Sequence, residues 1–221
     1  MGVLGRYCAA ATLARLADEM LTPGLVLLVL LRTGHPQEVG LVTGAWTLPS
    51  LASGPILGAW LGRLRHRARA LAAGQLVVAA SAVALVLTVG RTPIVLPVVL
   101  AAIGGIVVPG TSGGFTSLVP GLAPGDDFGR PNRDLSRLNR MDATTFNLSS
   151  IAGPALVGTL AATIGPAKAL LAVAGIAIVG AGAALGIPPG VPVADDTDGP
   201  AHLTDAVRAG LRQVVIEPGL R

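Results

Sequence analysis

Residues Ala70 to Gly90 read ALAAGQLVVAASAVALVLTVG, a stretch without one Asp, Glu, Lys or Arg. A helix rises about 1.5 Å per residue and a bilayer core is about 30 Å thick, so about twenty apolar residues reach across it. The run is long enough. Further uncharged runs flank it on both sides: Val39 to Leu61, Thr92 to Gly125, Ala143 to Ala167 and Ala169 to Ala194. Hydrophobic residues make up 52% of the chain and charged residues 13%, with a mean hydropathy of +0.69. A soluble domain carries about 25% charged residues, so this composition excludes one, and it excludes disorder equally.

Six spans follow, near Tyr7–Leu31, Val39–Leu61, Ala70–Val89, Thr92–Val119, Ala143–Gly165 and Ala169–Ile187. The runs lack the period-two alternation of barrel strands, so the expected fold class is an all-α integral membrane protein with six transmembrane helices. A signal peptide is a poor reading of the first span, because no short apolar core with a small-residue cleavage site stands out. If the N-terminus is cytoplasmic, twelve arginines fall in inner segments and only Arg32, Arg91 and Lys168 fall outside. That bias predicts a multi-pass protein of the cell membrane with both termini cytoplasmic. It also accounts for the net charge of +4 without nucleic acid. Residues 1–187 are the expected span bundle. Residues 188–221 are expected to form a cytoplasmic linker, rich in Pro188, Pro189 and Asp195, and then an amphipathic juxtamembrane helix over Leu203–Ile216.

The chemistry lies in the first span, which holds Arg15, Asp18 and Glu19. Met20 to Leu31 is too short to cross alone, so these charges sit at membrane depth. Each charged residue at a helix centre costs roughly 2.5 to 3.5 kcal/mol on insertion scales, so such residues usually face a protein interior or a wet cavity. The alternative to a functional path is a self-satisfied pair, since Arg15 and Glu19, four apart, can bridge along one helix face. Asp18 is then left over, and a carboxylate in a poorly solvated cavity can take and release a proton near neutral pH. Glycines spaced by four, among them Gly40 and Gly44, Gly54, Gly58 and Gly62, Gly110 and Gly114, and Gly182 and Gly186, predict close helix contacts. Prolines at Pro49, Pro55, Pro109, Pro120 and Pro154 predict local breaks in the hydrogen-bond ladder. Trp46 and Trp60 fit packing or anchoring better than substrate binding.

With Cys8 the only cysteine and three scattered histidines, neither a disulfide scaffold nor a metal site is expected. No cofactor motif and no nucleophile with a nearby base appears, so an enzyme is not expected, although Ser149 and Ser150 remain open to that reading.

The turn Gly58-Ala-Trp-Leu-Gly-Arg63-Leu-Arg65-His66-Arg67-Ala-Arg69 resembles the loop after the second span of the major facilitator superfamily, G-x-L-A-D-R-x-G-R-R. Gly58, Arg63 and Arg67 match. Gly62 replaces the family's aspartate and Arg65 its glycine. Leu16-Ala-Asp18-Glu-Met, with the apolar run to Gly34, is similar to the opening span of bacterial exporters of this superfamily. Met141-Asp-Ala-Thr-Thr-Phe-Asn147-Leu and Gly153-Pro154-Ala-Leu-Val-Gly158 are similar to their fifth span.

The resemblance implies one half of a fold that has two six-helix halves and holds substrate near the midplane between them. The chain is expected to be the N-terminal half, ending before a seventh span. It implies export of a small organic solute by alternating access with protons as coupling partner. Asp18 would carry the proton, Glu19 and Arg15 would support it, and Asn147 would make a polar contact in the cavity. Arg63 and Arg67 would serve an inner gate against Asp142 or Asp134, while Gly153 and Pro154 would set helix packing and a kink. Besides lipid and substrate, a second six-span half or a homodimer is the implied partner. The competing expectation is a truncated, non-transporting membrane fragment, or a partner that docks onto other helices.

Overall fold

The computed structural model describes residues 3–64, 66–119 and 133–187, and their regular structure is entirely helical. The six helices are α1 (Val3–Thr33), α2 (Pro36–Arg63), α3 (Arg67–Thr88), α4 (Val95–Thr116), α5 (Arg133–Ile164) and α6 (Pro166–Leu185). The expectations for the linker and the surface helix over Leu203–Ile216, for Pro120, and for most of the loop between α4 and α5 fall outside the described residues.

Four of the helices are long and apolar enough to cross a membrane: α3, α4, α5 from Ser136, and α6. α1 is interrupted by Arg15, Asp18 and Glu19, and α2 is diluted by glycine, serine, threonine and proline. Six spans were expected; length and composition alone qualify these four.

The fifth helix departs most from expectation. It begins at Arg133, well before Ala143, because Leu138 and Asp142 are four apart and both turn inward. Asp142, expected in a cytoplasmic loop, therefore lies inside a helix and is buried. α5 gives way to α6 through the single residue Gly165, at φ +88°, a conformation glycine adopts without steric cost; Pro166 then opens α6. The expected ladder breaks among the described residues do not end any helix: α2 continues through Pro49 and Pro55, α4 through Pro109 and α5 through Pro154, as α1 does through Pro23, which was not among the expected positions.

α1 runs through the centre, packed mainly against α6 and α5. α2 pairs with α4, and α3 packs on α6 and α4. Between helices in lipid there is little hydrophobic driving force, so close approach through small residues has to supply the attraction. On α1, Ala10, Ala14, Ala17, Leu21 and Gly24 form one buried stripe. A Cβ at Gly24 would lie 2.9 Å from the Val157 side chain and 3.0 Å from that of Leu170, and one at Gly180 would lie 3.3 Å from Leu13 Cβ. The α2–α4 crossing is tighter still. A Cβ at Gly104 would overlap the Trp46 ring, and one at Gly105 would overlap the Trp46 backbone carbonyl. Trp46 is buried in this crossing and Trp60 is exposed.

The spaced glycines divide. Gly110 and Gly114 meet Leu57, Leu61 and Leu71, and Gly54 meets Pro109, whereas Gly40, Gly44, Gly58, Gly62 and Gly182 have nothing within 4 Å. Spacing by four is satisfied within this bundle only where a second helix crosses.

Candidate functional site

α1 carries its three charged residues in two directions. Arg15 turns to α5 and not to Glu19: its Nη2 lies 2.8 Å from Asp142 Oδ1, and the arginine is only 2% exposed. The local bridge along α1 is replaced by a bridge between helices. The pair is saturated with further bonds. Tyr7 Oη approaches Asp142 Oδ1 at 2.6 Å, and Thr116 donates to Asp142 Oδ2 at 2.9 Å. Arg15 Nη1 donates to the Asp142 carbonyl at 2.8 Å and to Thr145 Oγ1, and Nη2 donates to Thr116 Oγ1 at 3.1 Å. The guanidinium also stands 5.7 Å from the Phe146 ring centre.

A buried ion pair holds together only when its remaining lone pairs and protons find partners, because each ion has lost its hydration. Here Tyr7, Thr116 and Thr145 provide them, and only Arg15 Nε is left without one. The cluster joins α1, α4 and α5 at one level. Its α5 members recur at helical spacing: Asp142, Thr145, Phe146 and Ser149, whose hydroxyl reaches the Thr12 carbonyl at 3.4 Å. Gly153 continues the same face. A Cβ there would lie 2.7 Å from Glu19 Cβ and 3.1 Å from the Glu19 backbone, so this glycine is what lets α5 touch α1.

Asp18 turns to α4. Its Oδ2 accepts from Thr111 Oγ1 at 3.0 Å, while Oδ1 is sealed from solvent and has no hydrogen-bond partner. The Thr111 oxygen also lies 2.8 Å from the Val108 carbonyl. A hydroxyl has one proton and can accept as well as donate. With Asp18 charged, the Thr111 proton points to the carboxylate; with Asp18 protonated, it can swing to Val108 while the acid donates to Thr111. The arrangement serves both protonation states without moving a heavy atom.

A cavity of about 290 Å³ opens beside the Arg15–Asp142 pair, lined by Arg15, Ser112, Thr116, Asp142, Phe146 and Asn147 among others. Asn147 is exposed there. Pro154 is exposed on α5, and Glu19 is partly buried against Gly153.

The inner-gate residues lie on three helices, Gly58 and Arg63 on α2, Arg67 on α3 and Asp142 on α5. Arg67 donates to the Gly62 carbonyl at 2.7 Å and to the Ser117 carbonyl at 3.2 Å, fastening the ends of α2 and α4, while Arg63 is exposed at the end of α2 and Gly58 is open. The Asp142 carboxylate is occupied by Arg15, Tyr7 and Thr116. The side chain of Asp134 lies outside the described residues. At the opposite end, Arg32 caps α3 by donating to the Val86 and Val89 carbonyls. Among the described residues no cluster of His, Cys, Asp and Glu could hold a metal.

The residues that sequence reading missed are the uncharged partners Tyr7, Thr111, Thr116 and Thr145. The one available signal was their position: each is a hydroxyl within or at the border of an apolar span.

Residues 7–219 match the family profile of the Major Facilitator Superfamily. A curated protein of Sinorhizobium fredii, described as an uncharacterized MFS-type transporter y4rN, is 30% identical over 169 residues, which is 75% of this chain and 39% of that protein. The chain thus spans well under half the length of that relative. Since the profile begins inside α1 and extends past α6, it takes in every helix that contributes to the charged cluster, and the chain belongs to the Major Facilitator Superfamily.

Proposed function

We propose that this chain is the N-terminal six-helix half of a proton-coupled exporter. It would lie in the cell membrane with both termini cytoplasmic, and move a small, amphiphilic organic solute by alternating access. The observation that carries the reading is Asp18: a carboxylate at the middle of α1, one oxygen on a hydroxyl that can give or take a proton and the other sealed and unpartnered. Ionisable groups held at membrane depth mark ion or substrate paths. Arg15 and Asp142 neutralise each other and form one wall of the cavity, with Phe146 and Asn147 beside them for the apolar and polar parts of a solute. Glu19 supports the charge balance of the layer. The cavity's opposing wall would come from a second six-helix half or a second copy of this chain, a reading favoured by the relative's greater length. Arg63 and Arg67 would bear on the inner gate.

The test is flux from proteoliposomes holding the full chain, with an imposed pH gradient and a panel of fluorescent organic cations, anions and neutral amphiphiles. The reading expects gradient-driven transport of one class, a detergent-resolved mass of a dimer or larger assembly, and loss of the pH-linked component in Asp18→Asn with insertion unchanged. Unchanged flux in Asp18→Asn would remove Asp18 from the mechanism.

A further inference from the structure

Gln75 is the one residue of α3 whose burial makes no sense on packing grounds. It is 0% exposed, in the stripe Leu71, Gln75, Val78, Ala82, yet neither Oε1 nor Nε2 has a hydrogen-bond partner. Burying an amide without partners is unfavourable, and a leucine or methionine would fill the same space without that cost. The other side-chain oxygen sealed without a partner among the described residues is Asp18 Oδ1. Thr111, whose hydroxyl holds Asp18 Oδ2, presses its methyl against the residue before Gln75: a Cβ at Gly74 would be 2.6 Å from Thr111 Cγ2. Thr111 of α4 thus touches both the Asp18 carboxylate of α1 and α3 at the residue before Gln75, so the two unpartnered groups belong to chain segments that meet the same threonine.

We infer that Gln75 is a positioning residue for Asp18, its carboxamide bridged to Asp18 Oδ1 by one buried water. A buried water needs two to four polar partners, and Oδ1, Oε1 and Nε2 supply three. A carboxamide suits a site that changes protonation. Its N–H favours a water that donates to the carboxylate, its carbonyl favours a water that accepts from the acid, and it adds no charge of its own. The charged residues around Asp18 are Arg15 and Glu19 on its own helix. α5 brings Asp142, paired with Arg15, α4 has no charged residue, α6 has only Lys168 in its first turn, and α3 has only Arg67 and Arg69 in its first turn. The role rests on Asp18 being the proton carrier; the hydrogen-bonded link itself does not.

The experiment is infrared difference spectroscopy on the full chain in lipid across a pH change. The carbonyl band of protonated Asp18 is identified by its loss in Asp18→Asn, and the bound-water band by its shift in H2(18)O. The parent should show both bands. Gln75→Met should move the carbonyl band to higher wavenumber and abolish the water band. Gln75→Asn, which keeps the amide but shortens its reach, should weaken the water band and moves the carbonyl band less. A carbonyl band unmoved in Gln75→Met overturns the inference. So does a parent without an Asp18-dependent water band, a measurement that needs no Gln75 variant to fold. If Asp18→Asn keeps gradient-linked flux while the bands shift as described, the proton-carrier reading falls and the hydrogen-bonded link stands.

Discussion

The guanidinium of Arg15 and the carboxylate of Asp142, 127 positions apart in the chain, meet at 2.8 Å in the interior of the helical bundle. Their contact makes α1, α4 and α5 one mechanical unit at this level, since Thr116 and Tyr7 bond to the same carboxylate. Removing one partner leaves the other charge buried and unpaired, which costs about 3–5 kcal/mol. Arg15→Met and Asp142→Ala should each destabilise by that amount in thermal or denaturant unfolding. The double variant should be less destabilised than the sum of the two singles, because the stranded charge is gone.

Tyr7→Phe tests the cluster more gently. It removes a hydrogen bond to a charged acceptor and leaves the ring packed edge-on against Phe115, with centroids 6.4 Å apart. The expected loss is about 1.5–3 kcal/mol, read from the shift of the unfolding midpoint.

The α2–α4 crossing predicts a contrast between glycines. Gly105→Ala places a methyl into the Trp46 backbone carbonyl, which cannot rotate away, so the helices must separate. A loss of at least 1–3 kcal/mol is expected, with falling yield of folded protein. Gly113→Ala meets nothing within 4 Å and should stay within about 0.5 kcal/mol of the parent.

Gly153→Ala should push α5 off α1 at Glu19. In a Cys8→Ser background, cysteines at Thr12 and Ser149, whose parent residues share a 3.4 Å hydrogen bond, should cross-link more slowly with the alanine than without it. An unchanged cross-linking rate would show that Glu19 yields instead.

Apolar runs located the helical segments well, because a charge-free stretch of that length has few other fates. They failed at the start of α5. Residues 133–142 are mostly polar, broken only by Leu135, Leu138 and Met141, and the structure shows the helix continuing there with Leu138 and Asp142 turned inward. The partner of Arg15 was misread for a related reason: spacing along one helix reveals Glu19, while the true partner is fixed by how α5 lies against α1. Asp18, Asn147 and Gly153 were legible as residues. Thr111 and Gln75 were not, since an isolated hydroxyl or amide in a span carries no sign of what it faces. The glycine spacing misled in the opposite way, giving the same signal whether or not a helix crosses there.

The Gly165 turn and the Arg15–Asp142 bridge lie toward opposite ends of α5, but of the two only the bridge binds three helices through side chains. Sequence drift in this layer is therefore constrained to move in concert: a descendant that loses Asp142 strands Arg15, and one that loses Arg15 strands Asp142. Among natural variants of this chain the two columns should change together or stay fixed, with Thr116 following them, while the neighbouring lipid-facing positions wander freely.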